Sequence, residues 1–325
     1  MTVYLKGEGN KKKYLSGHDV PQVSDLFIDK LYMTLPIPKN QQMQVESKFE
    51  EAINCGIGYK CYTGGYYKSL KLTSSLIDEG TVIIQCTPKN PKLNFFRIEF
   101  TPSLVDLSIL KKDLDNLLPG GYQHLIDAGK VNRIDLTVDA SYLDATDIIV
   151  THKKMKTEKL FAKNGAIESK YLGAAGSKKQ FLLYDKVKEI KEKNKKKLKG
   201  FKAMVPGHSL FRIECRLLKL ACPLNEIVNL PNPFTDLFPT AYPGAKATKE
   251  YDPLWPLFLC ACRFEGVDNA VAYLNAADKA TFTKRLEEKG KKDWWNPEKI
   301  WKGLASAINV ITNVNGISPL IAQIT

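Results

Sequence analysis

The tripeptide Arg-Ile-acid occurs three times in this chain, each time inside an alternating apolar stretch. The copies are Arg97-Ile98-Glu99, Arg133-Ile134-Asp135 and Arg212-Ile213-Glu214. Side chains along a β-strand point alternately to opposite faces. In each copy the isoleucine therefore takes one face, and the arginine and acid take the other. Asp139, four residues after Asp135, shares its face. A carboxylate on a half-buried sheet is costly unless it is paired or binds a cation. Two arrangements meet that demand. Either Arg97, Arg133 and Arg212 form arginine–acid pairs across adjacent strands, or Glu99, Asp135, Glu214 and Asp139 converge on a hard cation such as Mg²⁺ or Mn²⁺, which prefers oxygen ligands. Spacing alone leaves both open.

The surrounding pattern supplies more strands. Residues 27–37, 81–88, 94–101, 131–139, 168–173, 179–184 and 209–219 read as strands by period and β-forming content, and residues 55–71 as a Gly/Tyr-rich hairpin. Helical patterns cover 45–54 and 104–126, the latter broken at Pro119-Gly120-Gly121, and a lysine-rich helix covers 187–199. After residue 220 helical patterns dominate, beyond a Pro-rich connector at 230–244. The expectation is an α+β protein with an antiparallel-rich central sheet carrying the site, flanking helices, and a smaller, mostly helical C-terminal domain. The expected division is a flexible basic tail at 1–20, a catalytic domain at 21–220 and a C-terminal domain at 221–325, with the boundary inside 220–245.

Charge is concentrated rather than spread. The formal net charge is +13, and residues 151–202 alone hold 17 lysines, no arginine and 5 acids, a net +12. A cluster of this kind is either a solvated helix face or a footprint for a polyanion, and its density favours nucleic acid. Lys178, Lys179, Lys188, Lys191, Lys195, Lys196, Lys197 and Lys199 are the candidate phosphate contacts, which position DNA without reading its sequence. Tyr184 ends a short apolar run immediately before this block. A tyrosine hydroxyl ionises near pH 10 and is a poor nucleophile unless positive charge neutralises the phosphate it attacks.

The seven cysteines form no CxxC pair and no zinc spacing, which suits buried thiols in a reducing compartment. The N-terminal residues lack the apolar core of a signal peptide, and no apolar run is long enough to span a membrane. A cytosolic location is expected, with no membrane partner.

Four segments occur in a telling order: FRIEFTPSLV at 96–105, NRIDLTVD at 132–139, NGAIESKYLGAAGSKKQFLLYDK at 164–186 and FRIECRLLK at 211–219. Together they resemble the replication initiators of small rolling-circle plasmids, the Rep_trans or replication initiation factor family. The likeness covers roughly residues 93–220. It implies a nicking–closing enzyme, whose tyrosine attacks one origin strand, becomes joined to the 5′-phosphate and leaves a free 3′-hydroxyl. That tyrosine falls on Tyr184, the following lysine on Lys186, and the family's strand acids on Glu99, Asp135 and Glu214, with Asp139 beside them. A divalent cation, Mg²⁺ or Mn²⁺, is the implied cofactor. Origin DNA, a second copy of the chain and a host helicase are the implied partners. Three positions depart from the pattern: Leu182 replaces an arginine, Asp185 an asparagine and Arg216 a second acid. No His-hydrophobe-His metal motif is present, and His18, His124, His152 and His208 are scattered.

Origin reading would fall to the C-terminal region, where Lys284, Arg285, Lys289, Lys291 and Lys292 accompany Trp294, Trp295 and Trp301. Those tryptophans suit either base stacking or a helix core. Two further classes stay open: a DNA-binding regulator in which Tyr184 is inert, and a metal-dependent nuclease in which water attacks.

Overall fold

The structure is a computed structural model that describes residues 21–61, 64–73, 75, 80–155, 158–163, 166–174, 176–196, 205–242, 254–290 and 292–314. The basic tail expected at 1–20 lies outside them. Chain order runs β1 (Gln22–Val23), β2 (Phe27–Leu35), α1 (Lys39–Asn54), β3 (Gly58–Lys60), β4 (Tyr66–Leu72), β5 (Val82–Pro88), β6 (Phe96–Phe100), α2 (Leu107–Leu117), α3 (Gly121–Ala128) and β7 (Lys130–Ser141). It continues with β8 (Ile148–His152), β9 (Glu158–Lys163), β10 (Ala166–Leu172), β11 (Lys179–Asp185), α4 (Lys186–Lys196), β12 (Leu210–Cys222) and β13 (Leu237–Ala241). Five helices follow: α5 (Leu254–Glu265), α6 (Val267–Ala272), α7 (Ala276–Lys289), α8 (Pro297–Lys302) and α9 (Leu304–Thr312). The fold is α+β, with a large antiparallel sheet, flanking helices and a helical C-terminal region, as the sequence pattern indicates.

Strands in the large sheet follow the order β3-β4-β5-β6-β2-β7-β12-β11-β10-β9, with β1 beside the end of β7. The chain forms two compact units interleaved in sequence. The first is Leu26–Thr137, Arg216–Pro231 and Lys302–Thr325; the second is Met1–Asp25, Val138–Cys215 and Asn232–Trp301. The chain thus passes between units several times, whereas the sequence suggested one boundary.

In the first unit, alternation decides the layers. Leu31, Met33 and Leu35 of β2, Leu70 and Leu72 of β4, Ile84 of β5, and Phe96 and Ile98 of β6 are fully buried on one face of the sheet. Helix α1 brings Val45, Phe49 and Ala52 into this core, and the Phe49 ring meets Phe96 edge-on at 6.4 Å. Helix α2 is capped by Asp106, whose carboxylate accepts from the Ser108 and Ile109 amides, and it buries Leu110, Leu114 and Leu117. The helical pattern breaks where expected. Gly120 and Gly121 adopt positive φ of 76° and 64°, which glycine tolerates. A Cβ on Gly121 would collide with Asp115, whose carboxylate accepts the Tyr122 amide.

The second unit holds the β9–β10–β11 strands and a separate β8–β13 pair, with Leu237 opposite His152. No strand is expected at 237–241 from the sequence, because Pro239 and its neighbours read as a connector. A two-stranded ribbon has only edge strands, where a missing amide is tolerated. Helices α5, α6 and α7 close over a core of Ile149, Tyr242, Trp255, Phe258, Leu259, Cys262, Phe282 and Leu286.

Tyr122 is buried on α3, and its hydroxyl donates to the Ile311 carbonyl of α9 at 2.7 Å. Tyr122→Phe removes that donor and keeps the ring. The expected loss is about 1–2 kcal/mol of unfolding free energy at constant m-value in urea, and a loss near zero would mean that α9 is held without this bond.

Candidate active site

Tyr184 is the last buried residue of β11, after Phe181, Leu182 and Leu183. Opposite it on β10 lies Ser169. Its hydroxyl donates to Glu214 Oε1 at 2.7 Å. Glu214 sits on β12 between the fully buried Ile213 and Cys215 and is only 4% exposed. Burial raises the Tyr184 pKa far above its ordinary value, the Glu214 charge adds to the rise, and Arg212 opposes it. At rest, the proton is therefore held on the tyrosine.

The chain turns from β11 into α4 directly after this residue. Asp185 Oδ1 accepts the Lys188 amide at 2.9 Å, which caps the new helix. The family pattern has asparagine here, and both side chains cap equally well. Lys186 places its ammonium 5.8 Å from the Tyr184 ring centroid. The same ammonium binds Glu189 Oε2 at 2.5 Å, and Lys193 binds Glu189 Oε1 at 2.6 Å. Burial disfavours the Glu189 charge, but these two lysines outweigh it and hold the carboxyl below its usual range. An open groove of about 230 Å³ runs past Tyr184, lined by Ser169, Asp185, Lys188, Glu189, Glu192 and Lys193. A smaller cavity of about 30 Å³ beside the same tyrosine is lined by Lys170, Phe211 and Arg263, among others. Lys170 and Arg263 carried no sequence signal for this position.

The other acids stand with arginines. Arg212 Nε and Nη2 grip the two Asp139 oxygens, each at 2.7 Å. These two residues and the Tyr184–Glu214 pair belong to the second unit. In the first unit, Arg133 binds Asp135 through Nε at 2.8 Å and Nη2 at 2.6 Å, with Arg216 Nε 3.7 Å away. Arg97 Nη2 meets Glu99 Oε2 at 3.0 Å. Strand order explains why Glu99 and Asp135 do not converge. β2 runs between β6 and β7, so their strands are two spacings apart, about 10 Å. Tyr32 of β2 fills the gap, paired in register with both Glu99 and Arg133.

A divalent cation, implied by the resemblance, does not fit these acids as they stand. Three carboxylates face guanidinium groups and the fourth faces a hydroxyl. Among the described residues no group of three His, Cys, Asp or Glu is placed to hold a metal. The Arg97–Glu99 and Arg133–Asp135 pairs lie within one strand, at i and i+2, and Arg212–Asp139 crosses strands, where the sequence suggested three cross-strand pairs.

Lys178, Lys191 and Lys195 are exposed, and Lys179 and Lys188 half-exposed. The Lys196 side chain, Lys197 and Lys199 lie outside the described residues. Farther along, Trp294 is buried, and Trp295 donates to the Leu237 carbonyl at 3.0 Å and packs edge-on to Phe234. These two serve the core, not a stacking platform. Arg285 lies over the Trp255 ring at 4.4 Å.

No protein-family profile matches this chain. Nor does any curated protein sequence. Among solved structures, it is similar to a rolling circle replication initiator protein from Geobacillus stearothermophilus, at 13% identity and a TM-score of 0.38, over 74% of this chain and 97% of that one. No helix among the described residues is long and apolar enough to cross a membrane.

The raised tyrosine has a measurable consequence. Its contribution to stability is fully present below the ordinary tyrosine pKa of 10.0 and is lost as pH rises further, because the unfolded phenol ionises while the folded one stays protonated. The stability gap between the wild type and Tyr184→Phe should therefore narrow above pH 10 in urea titrations. A constant gap would mean that Tyr184 ionises equally easily in both states.

Proposed function

We propose that this chain cleaves and rejoins one DNA strand, with Tyr184 as nucleophile and Glu214 as its general base, and so initiates rolling-circle replication. The observation that carries the reading is the 2.7 Å hydrogen bond from the Tyr184 hydroxyl to Glu214, at the edge of a groove bordered by Lys188 and Lys193. The ordered motifs at 96–105, 132–139, 164–186 and 211–219 support it.

The reaction is a transesterification. Glu214 takes the phenolic proton as the tyrosine oxygen bonds to phosphorus. The bond from phosphorus to the 3′-oxygen breaks, and that oxygen leaves as a hydroxyl after gaining a proton. The 5′-phosphate stays on Tyr184. Reversal by a 3′-hydroxyl reseals the strand, and the phosphotyrosine bond conserves the energy needed, so no nucleotide is consumed. A phosphate in the groove would draw Lys186 and Lys193 from Glu189, and their charge beside it would offset the negative charge that builds on phosphorus and on the Tyr184 oxygen. No step is assigned to a metal, because the carboxylates that would hold one are otherwise engaged.

The test is incubation of the full chain with supercoiled DNA of the replicon that encodes it, in Mg²⁺, Mn²⁺ or chelator, followed by denaturing electrophoresis and peptide mass analysis. A DNA adduct on Tyr184, absent in Tyr184→Phe and about 10²–10⁴-fold slower in Glu214→Gln, is the expected result. Nicking without an adduct would transfer the chemistry to water. Origin binding without nicking would make the chain a DNA-binding regulator.

A further inference from the structure

The face of the first unit opposite its core carries a second set of anion-seeking groups. On β2, Lys30 and Tyr32 alternate with the fully buried Leu31 and Met33, so both stand on the polar face, about 7 Å apart along the strand. Tyr32 is flanked by two guanidinium groups, Arg97 at 5.2 Å and Arg133 at 5.0 Å from its ring centroid. Glu99 and Asp135 fix those arginines in place through the pairs described above.

Three donors there are unspent. Among the described residues, Lys30 makes no ion pair and the Tyr32 hydroxyl no hydrogen bond. Arg97 spends one N–H of its five on Glu99. All three residues are half-exposed, with the Arg97 side chain 30% accessible. Burial, followed by Glu99, raises the Tyr32 pKa, so its hydroxyl keeps the proton it would donate. Lys30, Arg97, Arg133 and Arg216 outnumber Glu99 and Asp135 on this part of the sheet, leaving it positive.

We propose that this row, with Lys30, Tyr32 and Arg97 as donors, binds the phosphodiester backbone of single-stranded DNA. The groups form a line along and across strands, not a ring, which suits a chain of phosphates better than one free anion. Their partial burial suits a single flexible backbone, whereas a stiff duplex would reach only the rim. Stacked guanidinium and phenol planes also offer flat surfaces to unpaired bases. The proposal rests on the DNA partner of the preceding reading but not on the Tyr184 chemistry.

The experiment uses the full chain carrying Tyr184→Phe, in chelator, with a labelled mixed-sequence single strand followed by anisotropy across a salt series. Lys30→Gln and Arg97→Gln should each weaken binding about tenfold and lower the slope of log K against log salt by about 0.7. Tyr32→Phe keeps the ring between its arginines, so folding is preserved; it should weaken binding several-fold and leave the slope unchanged. A duplex of the same sequence should lose much less. If the parent binds but all three variants remain within twofold of it, the proposal is overturned. Equal losses on duplex overturn the assignment to single strands. A parent that binds no single strand removes the DNA-partner reading together with this one. An intact Lys30, Tyr32 and Arg97 effect without any Tyr184 adduct in the wild type removes the nucleophile alone.

Discussion

Each acid on the Arg-Ile-acid strands must be compensated where it stands, and that requirement organises both polar regions of this protein. A buried unpaired carboxylate would cost several kcal/mol. Asp135 is essentially inaccessible and receives two bonds from Arg133. Asp139 receives two from Arg212. Glu214, only 4% exposed, accepts the Tyr184 hydroxyl at 2.7 Å. The same strand pattern therefore yields arginine–acid pairs within β6 and β7 and a tyrosine–acid pair between β11 and β12.

Much of this was legible in the sequence. Period-2 alternation located β2, β5, β6, β7, β11 and β12 and placed arginine and acid together against isoleucine. The Pro119-Gly120-Gly121 break was legible because only glycine accepts the positive φ found there. Tyr184 at a strand end before a lysine-rich helix was also legible. Alternation states which face a side chain takes, but not which strand lies beside it. For that reason the insertion of β2 between β6 and β7 went unseen, and with it both the separation of Glu99 from Asp135 and the place of Tyr32. The C-terminal tryptophans were ambiguous for a related cause. An aromatic residue with a polar edge serves a core or a nucleic acid equally well, and only the Trp295 bond to Leu237 and the burial of Trp294 decide between them.

Leu182, Asp185 and Arg216, which depart from the motifs that the sequence resembles, each have a defined setting. Leu182 is buried between Phe181 and Leu183, so an arginine there would need a partner of its own. Asp185 replaces an asparagine without loss of the cap on α4. Arg216 stands where a second acid is expected and lies 3.7 Å from Asp135. Arg216 thus adds a second cation beside a carboxylate that already has one.

The resting state of Tyr184 also constrains how it could react. Its proton is held by burial and by the Glu214 charge, so the phenol stays unreactive until positive charge arrives or negative charge is drawn off. Lys186 is close enough to supply the charge but is committed to Glu189. Asp185 caps α4 directly after Tyr184, and so sets Lys186 beside the ring while Glu189 holds its ammonium.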